Sequence, residues 1–305
     1  MTKHNPWRRV KGYIDLIRPF TLLAPLIVST CIMLASYFSN DVSLGLASGW
    51  WAVILPASIS LAMLNGASNT LNQITDIEAD KLSKPYRPLP RGIITMREAY
   101  LVALIMYVSA FVLAIMIHPL FVGFLLLITL FTLTYSLRPR FKDILVLNQL
   151  WVAIPRGFLG VLASWCVFGN CFQPVPLIIG TVALLFLIGG SITKDIMDSD
   201  ADKQTGTHTL VNTFGVKKAA LFSFPFMFFP FVFIPLLISA ELLPESLWLL
   251  TFLAIPGYLV FYCMVNDGAK GRFLENTSAW AVMYLTYFVF ASSFSILTIV
   301  DSVVL

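Results

Sequence analysis

Long apolar segments alternate with short polar loops along the whole chain. Nine of these segments are long enough for a helix that crosses a bilayer, which takes about 20 residues. They lack the alternation that marks a membrane β-strand, and a backbone in hydrocarbon must satisfy its own hydrogen bonds, so the pattern predicts helices. The predicted spans are residues 19–38, 50–71, 98–117, 119–135, 144–169, 174–196, 219–239, 247–265 and 278–299.

The composition agrees with a membrane protein. Of 305 residues, 58% are hydrophobic and 12% are charged, whereas a soluble domain has about 25% charged residues. This balance excludes a water-soluble globule, and it gives no reason to expect a nucleic acid as a partner. We therefore expect an all-α, polytopic membrane protein in contact with lipid. Residues 1–305 would form a single domain in which nine transmembrane helices surround one central cavity.

The distribution of basic residues predicts the orientation of these helices. Lys and Arg lie before the first span and in the loops after spans two, four, six and eight, whereas the other loops contain neither. By the positive-inside rule, the N-terminus and the basic loops are expected in the cytoplasm and the C-terminus outside. The N-terminal segment shows neither a cleavage site nor a transit peptide, which favours the plasma membrane of a prokaryote.

The cysteines are not arranged as a metal cluster or a disulfide framework, because no two of them form a CxxC pair. Cys166 and Cys171 flank a short loop that is predicted to lie outside. They could pair in an oxidising space, or they could be buried free thiols like most unpaired cysteines. The sequence leaves both possibilities open.

Two sets of polar side chains lie at the predicted cytoplasmic ends of spans two and six. Each set recurs at helical spacing and therefore occupies one face of its helix. Residues 72–81 and 194–203 also share the pattern Asp-x-x-x-Asp-Lys with the same predicted orientation, which suggests an internal repeat whose copies face each other. The two sets are Asn72, Asp76, Asp80 and Asp195, Asp198, Asp202.

Carboxylates stacked on one helix face repel each other, so a cation is their natural partner. Oxygen ligands without nearby His or Cys suit Mg²⁺, which usually binds one or two carboxylates together with substrate phosphate oxygens. Two such faces therefore predict a diphosphate held between metal ions. The loop 81–92 adds four basic residues stiffened by three prolines, as in an anion site. The simpler alternative is a pair of solvated helix ends beside a positive-inside loop.

Four segments of the chain closely resemble the motifs of the UbiA superfamily of intramembrane prenyltransferases. The resemblance is specific because the four motifs occur in the family's order and extend over nearly the whole chain. They are LIRPFT at 16–21, NQITDIEADKLSKPYRPLPRG at 72–92, YSLRPRFK at 135–142 and KDIMDSDADKQTGTHTL at 194–210.

The resemblance implies that the chain transfers a prenyl group from a polyprenyl diphosphate, such as geranylgeranyl diphosphate, with Mg²⁺ as cofactor. The acceptor would be an aromatic or other lipophilic molecule of quinone, tetrapyrrole or archaeal-lipid biosynthesis, and pyrophosphate would be released. The shared motifs serve the donor, so they specify neither the acceptor nor the length of the prenyl chain.

Carried over to this sequence, the resemblance also implies roles for individual residues. Asp76, Asp198, Tyr135 and Asp195 would be catalytic. Tyr135 would lie near the allylic carbon, where its ring can stabilise positive charge, although an interfacial aromatic anchor is the alternative. Asp195 would either accept the acceptor's proton or support Lys194. The implied ligands of Mg²⁺ and diphosphate are Asn72, Asp76, Asp80, Asp198 and Asp202, and the implied phosphate contacts are Arg18, Lys84, Arg87, Lys142 and Lys194.

Arg156 lies inside the fifth predicted span, between Pro155 and Gly157. A charge at that depth is a functional candidate, since an unpaired charge in the bilayer is costly. We expect Pro155 to kink the helix and expose Arg156 to the cavity, where it would meet a carboxylate or a substrate group. Snorkelling and a purely structural pairing are the alternatives.

A secondary transporter of cations or organic phosphates is the competing hypothesis for the whole chain. Internal repeats and acidic residues in membrane helices occur in transporters as well, but transporter sites tend to lie near the bilayer midplane on interrupted helices. Here the acidic residues gather at one face of the membrane, which favours the enzyme.

Overall fold

The computed structural model describes residues 6–40, 49–268, 270, 272–273 and 276–304. Within this part of the chain, helices form all regular structure except one antiparallel pair of two-residue strands, β1 (Arg272–Phe273) and β2 (Asn276–Thr277). The predicted all-α fold is therefore confirmed.

Fifteen α-helices follow one another along the described chain. The first eight are α1 (Pro6–Ile17), α2 (Pro19–Ser39), α3 (Trp50–Thr75), α4 (Ile77–Ser83), α5 (Met96–Ile115), α6 (Pro119–Ser136), α7 (Leu147–Ala153) and α8 (Gly160–Trp165). The others are α9 (Pro174–Gly190), α10 (Asp195–Thr205), α11 (Leu210–Phe214), α12 (Val216–Val232), α13 (Ile234–Ser239), α14 (Ala254–Asn266) and α15 (Ser278–Val304).

Shorter helical turns connect several of these helices. A π-helical turn (Ile154–Leu159) joins α7 to α8, and a 3₁₀ turn (Ser191–Lys194) joins α9 to α10. Two more 3₁₀ segments, Phe141–Asp143 and Glu245–Leu253, precede α7 and α14. These turns change the direction of a helix without leaving its backbone groups unpaired, as a bilayer requires.

Eight helical segments of the described chain are long and apolar enough to cross a membrane. Each coincides with a span predicted from the sequence. The remaining prediction, 144–169, corresponds to α7, the π-helical turn and α8, a run interrupted at Pro155 and made less apolar by Asn148, Gln149 and Arg156. The predicted count of nine transmembrane helices is therefore approximate. The eight segments are Pro19–Ser39, Trp50–Thr75, Met96–Ile115, Pro119–Ser136, Pro174–Thr205, Val216–Ser239, Glu245–Asn266 and Ser278–Val303.

Helix α5 shows how the bundle faces lipid. Its buried positions are small, namely Ala99, Ala103, Ala110 and Ala114, and they pack mainly against α3. Its exposed positions are large and apolar, which suits a surface in contact with acyl chains rather than with water. These exposed side chains are Leu101, Leu104, Ile105, Val108 and Val112.

Glycines allow other helices to approach closely. A Cβ atom on Gly189 of α9 would lie 2.6 Å from the carbonyl oxygen of Ser223, and a Cβ atom on Gly257 of α14 would overlap the carbonyl oxygen of Met227 in α12. Small residues at helix interfaces are the usual means of bringing backbones together in a membrane. The packing of α12 against α9 and α14 therefore depends on these two glycines.

Cys166 and Cys171, whose pairing the sequence left open, are both buried and both free thiols in the structure.

We expect Gly257→Ala to lower the melting temperature of the detergent-purified protein, because the added methyl group forces α14 away from α12. Overpacking of this kind costs roughly 1–3 kcal/mol. Gly123→Ala in α6 is the matched control, because a Cβ atom there would meet no other atom within 4 Å. Equal thermal stability of the two variants would show that the close approach of α14 to α12 does not matter.

Candidate active site

A cavity of about 270 Å³ lies among α2, α3, α6, α7, α9, α10 and α15. Every residue that the sequence analysis named as a site candidate lines this cavity. The two Asp-rich segments, the basic loop after α4, the segment after α6 and the interrupted helix therefore contribute to one site. Apolar side chains cover its deeper part: Pro25, Val28, Leu61, Leu64, Ile128 and Leu187.

The first Asp-rich segment lies where α3 gives way to α4. Asp76 stands between the two helices, and its amide donates to the carbonyl of Asn72 at 3.0 Å. Its carboxylate accepts hydrogen bonds from Arg140 Nη2, at 2.9 Å, and from Lys142 Nζ. Lys142 Nζ also donates to Asn72 Oδ1 at 2.8 Å. Burial of Lys142 lowers the pKa of its ammonium group, an effect that the Asp76 carboxylate opposes.

Asp80, one turn further along, is held by the basic loop. Arg87 Nη1 donates to both of its carboxylate oxygens, at 2.9 and 2.8 Å, and both side chains are 6% exposed. Burial raises the pKa of Asp80, while the charges of Arg87 and Lys84 act in the opposite direction. The ion pair with Arg87 thus favours the charged form of Asp80, whose side chain lies at the edge of the cavity.

The second Asp-rich segment begins at the 3₁₀ turn that ends α9 and continues into α10. Helix α10 packs against α4, so the two Asp-rich segments face each other. Lys84, which follows α4, crosses this gap and forms an ion pair with Asp198. Within the described part of the chain, Asp202 has no ion-pair partner, and it lines the same cavity.

A polar network connects this segment to α6 and α7. Lys194 Nζ donates to Tyr135 Oη at 3.1 Å, to Asn148 Oδ1 at 2.9 Å and to Asp195 Oδ1 at 2.9 Å. The other carboxylate oxygen of Asp195 accepts from Asn148 Nδ2 at 3.3 Å and from Gln149 Nε2 at 3.1 Å. Asp195 is 3% exposed. A shared network of this kind restricts the directions in which its members can point.

The ring of Tyr135 lies between two cations. Lys194 Nζ is 5.7 Å from the ring centroid and Lys142 Nζ is 5.9 Å from it. Such distances permit cation–π attraction. Tyr135 therefore contacts one cation from the segment after α6 and one from the second Asp-rich segment, and it lines the cavity.

Two arginines of the cavity have left-handed backbone conformations, which residues other than glycine rarely adopt. Arg18, between α1 and α2, has φ 55°, and Arg140 has φ 61°. Thr21 Oγ1 donates to the carbonyl of Arg18 at 2.8 Å and accepts from Asn69 at 2.7 Å. Strained backbone of this kind gathers at functional sites, where the surrounding structure enforces it.

Several residues of the cavity escaped the sequence analysis. Arg140 was counted only as a basic loop residue, and the polar pair in α7 gave a weak signal, two amides inside an apolar run. One wall of the cavity comes from α15, where Trp280 and Tyr284 have ring centroids 4.2 Å apart. The cavity-lining residues of α15 recur at helical spacing, and ordinary helix packing produces the same pattern. The cavity residues that were missed are Arg140, Asn148, Trp280, Met283, Tyr284 and Tyr287, and Gln149, which donates to Asp195, was missed as well.

The donor set suits Mg²⁺ in combination with a phosphate. Within the described residues, no three His, Cys, Asp or Glu side chains converge on one point that could hold a metal ion. Mg²⁺ does not need such a cage, because it commonly takes one or two carboxylates and completes its shell with water and substrate oxygens. The oxygens of Asp76, Asp80, Asp198 and Asp202 line opposite sides of the same cavity. These residues would therefore suit Mg²⁺ that is bound together with the phosphate oxygens of a substrate.

Several known proteins are similar to this chain in sequence or in fold. The chain is 28% identical over 215 residues to the digeranylgeranylglyceryl phosphate synthase of Methanosphaera stadtmanae, covering 68% of this chain and 71% of that one. It is 31% identical over 215 residues to a probable chloroplastic homogentisate phytyltransferase 2 of Oryza sativa subsp. japonica, covering 67% and 55%. The fold is similar to that of a UbiA homolog from Archaeoglobus fulgidus bound to DMAPP and Mg²⁺, with a TM-score of 0.73, 19% identity and coverage of 94% and 99%.

The family match covers most of the sequence. Residues 22–292 match the UbiA prenyltransferase family, a range that includes the second, third and fourth motifs in full. The competing hypothesis of a secondary transporter finds no support in these comparisons. The chain belongs to the UbiA prenyltransferase family.

Proposed function

We propose that this protein transfers a prenyl group from a polyprenyl diphosphate to a lipophilic acceptor and releases pyrophosphate. The observation that carries the proposal is the ion pair between Lys84 and Asp198, which joins the two Asp-rich segments across one cavity. The A. fulgidus homolog with DMAPP and Mg²⁺ supports a diphosphate donor for this fold.

The Asp-rich segments would hold Mg²⁺ and the donor's diphosphate. When bound, Mg²⁺ neutralises negative charge that develops on the departing pyrophosphate. The basic side chains now paired with carboxylates would turn toward the phosphate oxygens, and charge-assisted hydrogen bonds are strong enough to favour that exchange. The side chains proposed for metal and diphosphate are Asn72, Asp76, Asp80, Asp198 and Asp202, and those for phosphate oxygens are Arg18, Lys84, Arg87, Lys142 and Lys194.

In the reaction, the bond between the allylic carbon and the diphosphate oxygen breaks and the carbon bonds to the acceptor, which loses a proton. Positive charge builds up on the allylic carbon as the leaving group departs. The ring face of Tyr135 would stabilise that charge once phosphate has neutralised Lys142 and Lys194. The apolar side chains deeper in the cavity would hold the prenyl chain and exclude water.

For Asp195 we propose the supporting role rather than that of the base. Its two carboxylate oxygens already accept hydrogen bonds from Lys194, Asn148 and Gln149. Three neighbouring side chains thus occupy its oxygens, and its hydrogen bond with Lys194 orients that ammonium group toward Tyr135 and the cavity.

The acceptor is an aromatic or other lipophilic molecule in this proposal. The relatives are named for different acceptor chemistries, a glyceryl phosphate lipid in one case and homogentisate in the other. We also propose that the N-terminus and the site loops lie in the cytoplasm of a prokaryote and that the C-terminus lies outside, since the basic loops alternate along the chain.

The direct test uses purified protein, radiolabelled geranylgeranyl diphosphate and a panel of acceptors, with Mg²⁺ or with EDTA, and identifies products by mass. We expect a prenylated product that forms only with Mg²⁺. Failure to bind the diphosphate in the presence of Mg²⁺ would contradict the proposal and reopen the transporter hypothesis.

We expect Asp76→Asn and Asp198→Asn each to reduce kcat/KM by roughly 10²–10³-fold or more, since each removes charge that a metal-bound diphosphate needs. Both variants should remain folded in detergent. Glu78→Gln is the matched control, because Glu78 is exposed on α4 and forms an ion pair with the exposed Lys81 rather than with a residue of the cavity. Full activity in either Asn variant would remove that residue from the metal site.

Arg18→Ala should raise KM for the donor diphosphate more than KM for the acceptor, because Arg18 lines the diphosphate end of the cavity. Arg8→Ala, an exposed change on α1, is the control. Steady-state kinetics with each substrate varied in turn measure the difference. An unchanged donor KM would show that Arg18 does not bind the diphosphate.

A further inference from the structure

The interrupted helix carries a cation deep into the cavity. Asn148, in α7, belongs to the polar network around Lys194. Arg156 follows eight residues later, which corresponds to a rise of about 12 Å along a helix. It also lines the cavity, and its side chain is exposed there. A charged group at such depth is costly unless something compensates for it.

The local backbone fixes the direction of this side chain. Its neighbours Pro155 and Gly157 are buried, and a Cβ atom on Gly157 would lie 2.7 Å from the backbone nitrogen of Leu184 in α9. On the side of α15, Tyr287 Oη donates to the carbonyl of Arg156 at 3.0 Å. Both contacts hold the π-helical turn in place, and turns of this type occur frequently at functional sites.

Five other basic side chains of the cavity have carboxylate partners. Within the described residues, Arg156 has neither an ion pair nor a side-chain hydrogen bond, so a compensating charge would have to come from a bound molecule. The pairs formed by the others are Lys84 with Asp198, Arg87 with Asp80, Arg140 and Lys142 with Asp76, and Lys194 with Asp195.

The donor does not supply this charge. Its diphosphate belongs with the Asp-rich segments, and its prenyl chain is apolar. The remaining molecule is the acceptor. A guanidinium group matches a carboxylate or a phosphate through two parallel hydrogen bonds, and the aromatic side chains of Trp280, Tyr284 and Tyr287 offer a surface for the rest of the acceptor.

We propose that Arg156 binds an anionic group, a carboxylate or a phosphate, of the acceptor and thereby selects acidic acceptors over neutral ones. This inference rests on the proposed function. Binding of the acidic group at the deep end of the cavity directs the reactive atom of the acceptor back toward Tyr135 and the allylic carbon. Arg156 is thus a specificity residue for the second substrate.

The test measures binding of two pairs of acceptors to the protein saturated with Mg²⁺ and geranylgeranyl thiolodiphosphate, an unreactive donor analogue. One pair is homogentisate and its methyl ester, and the other is geranylgeranylglyceryl phosphate and geranylgeranylglycerol. Comparison of the pairs distinguishes a carboxylate from a phosphate. The proteins are the wild type, Arg156→Gln, Arg156→Lys and Arg97→Gln, an exposed change on α5 that serves as the control.

We expect the wild type to bind the acid of at least one pair 10-fold or more tightly than its neutral counterpart. Arg156→Gln should lose that preference, Arg156→Lys should keep part of it, and Arg97→Gln should keep all of it. The affinity for the neutral compound should be the same in all four proteins, which shows that the variants still fold and retain the cavity.

Two results would overturn the role of Arg156: no preference for the acid in either pair with the wild type, or an undiminished preference in Arg156→Gln. The donor analogue reports separately on the proposed function. A wild type that fails to bind this analogue with Mg²⁺ contradicts the prenyltransferase proposal itself, whereas normal binding of the analogue confines the failure to Arg156.

Discussion

Carboxylates at the ends of membrane helices are the constraint on which the rest of this structure depends. Two acidic faces meet at one end of an apolar bundle, where neither water nor lipid can fully compensate their charge. Basic side chains from neighbouring segments do so instead, and the ion pair of Lys84 with Asp198 crosses from one face to the other. The carboxylates of the two faces repel each other, so they lie apart on the cavity wall and basic side chains neutralise them. A metal-bound diphosphate in the cavity would neutralise the same groups.

The breaks in the helices follow from this arrangement. Asp76 lies at the junction of α3 and α4, and the 3₁₀ turn of 191–194 places Asp195 at the start of α10. Each break turns a polar segment across the end of the bundle while the apolar part of the helix continues through the core. The π-helical turn at Arg156 likewise interrupts a helix and places a charged side chain in the cavity, but deeper in the bundle. Close packing through Gly189 and Gly257 holds α12 against α9 and α14.

Much of this was accessible from sequence because two periodic signals are strong. Apolar length predicted the helices, and the spacing of Asp195, Asp198 and Asp202 predicted their common helix, α10. The spacing of Asp76 and Asp80 did not reveal the break between α3 and α4. Arg140 was missed because its position beside Asp76, 64 residues away, depends on tertiary structure, and a loop arginine also satisfies the positive-inside rule. Asn148 and Gln149 were missed because their positions beside Asp195 also depend on tertiary structure. The hydrophobic periodicity of the sequence also cannot reveal a π-helical turn. The additional residue in such a turn moves the following side chains to another face of the helix but leaves the composition unchanged.

The central claim is that both acidic faces bind the same diphosphate. A double-mutant cycle on Asp76→Asn and Asp198→Asn tests it most directly, with the Mg²⁺-dependent affinity for geranylgeranyl thiolodiphosphate measured by calorimetry. If the faces act on one ligand, the losses are strongly coupled, and the double variant binds little more weakly than either single variant. Additive losses, or an unchanged affinity in one single variant, would show that the two faces do not share a ligand.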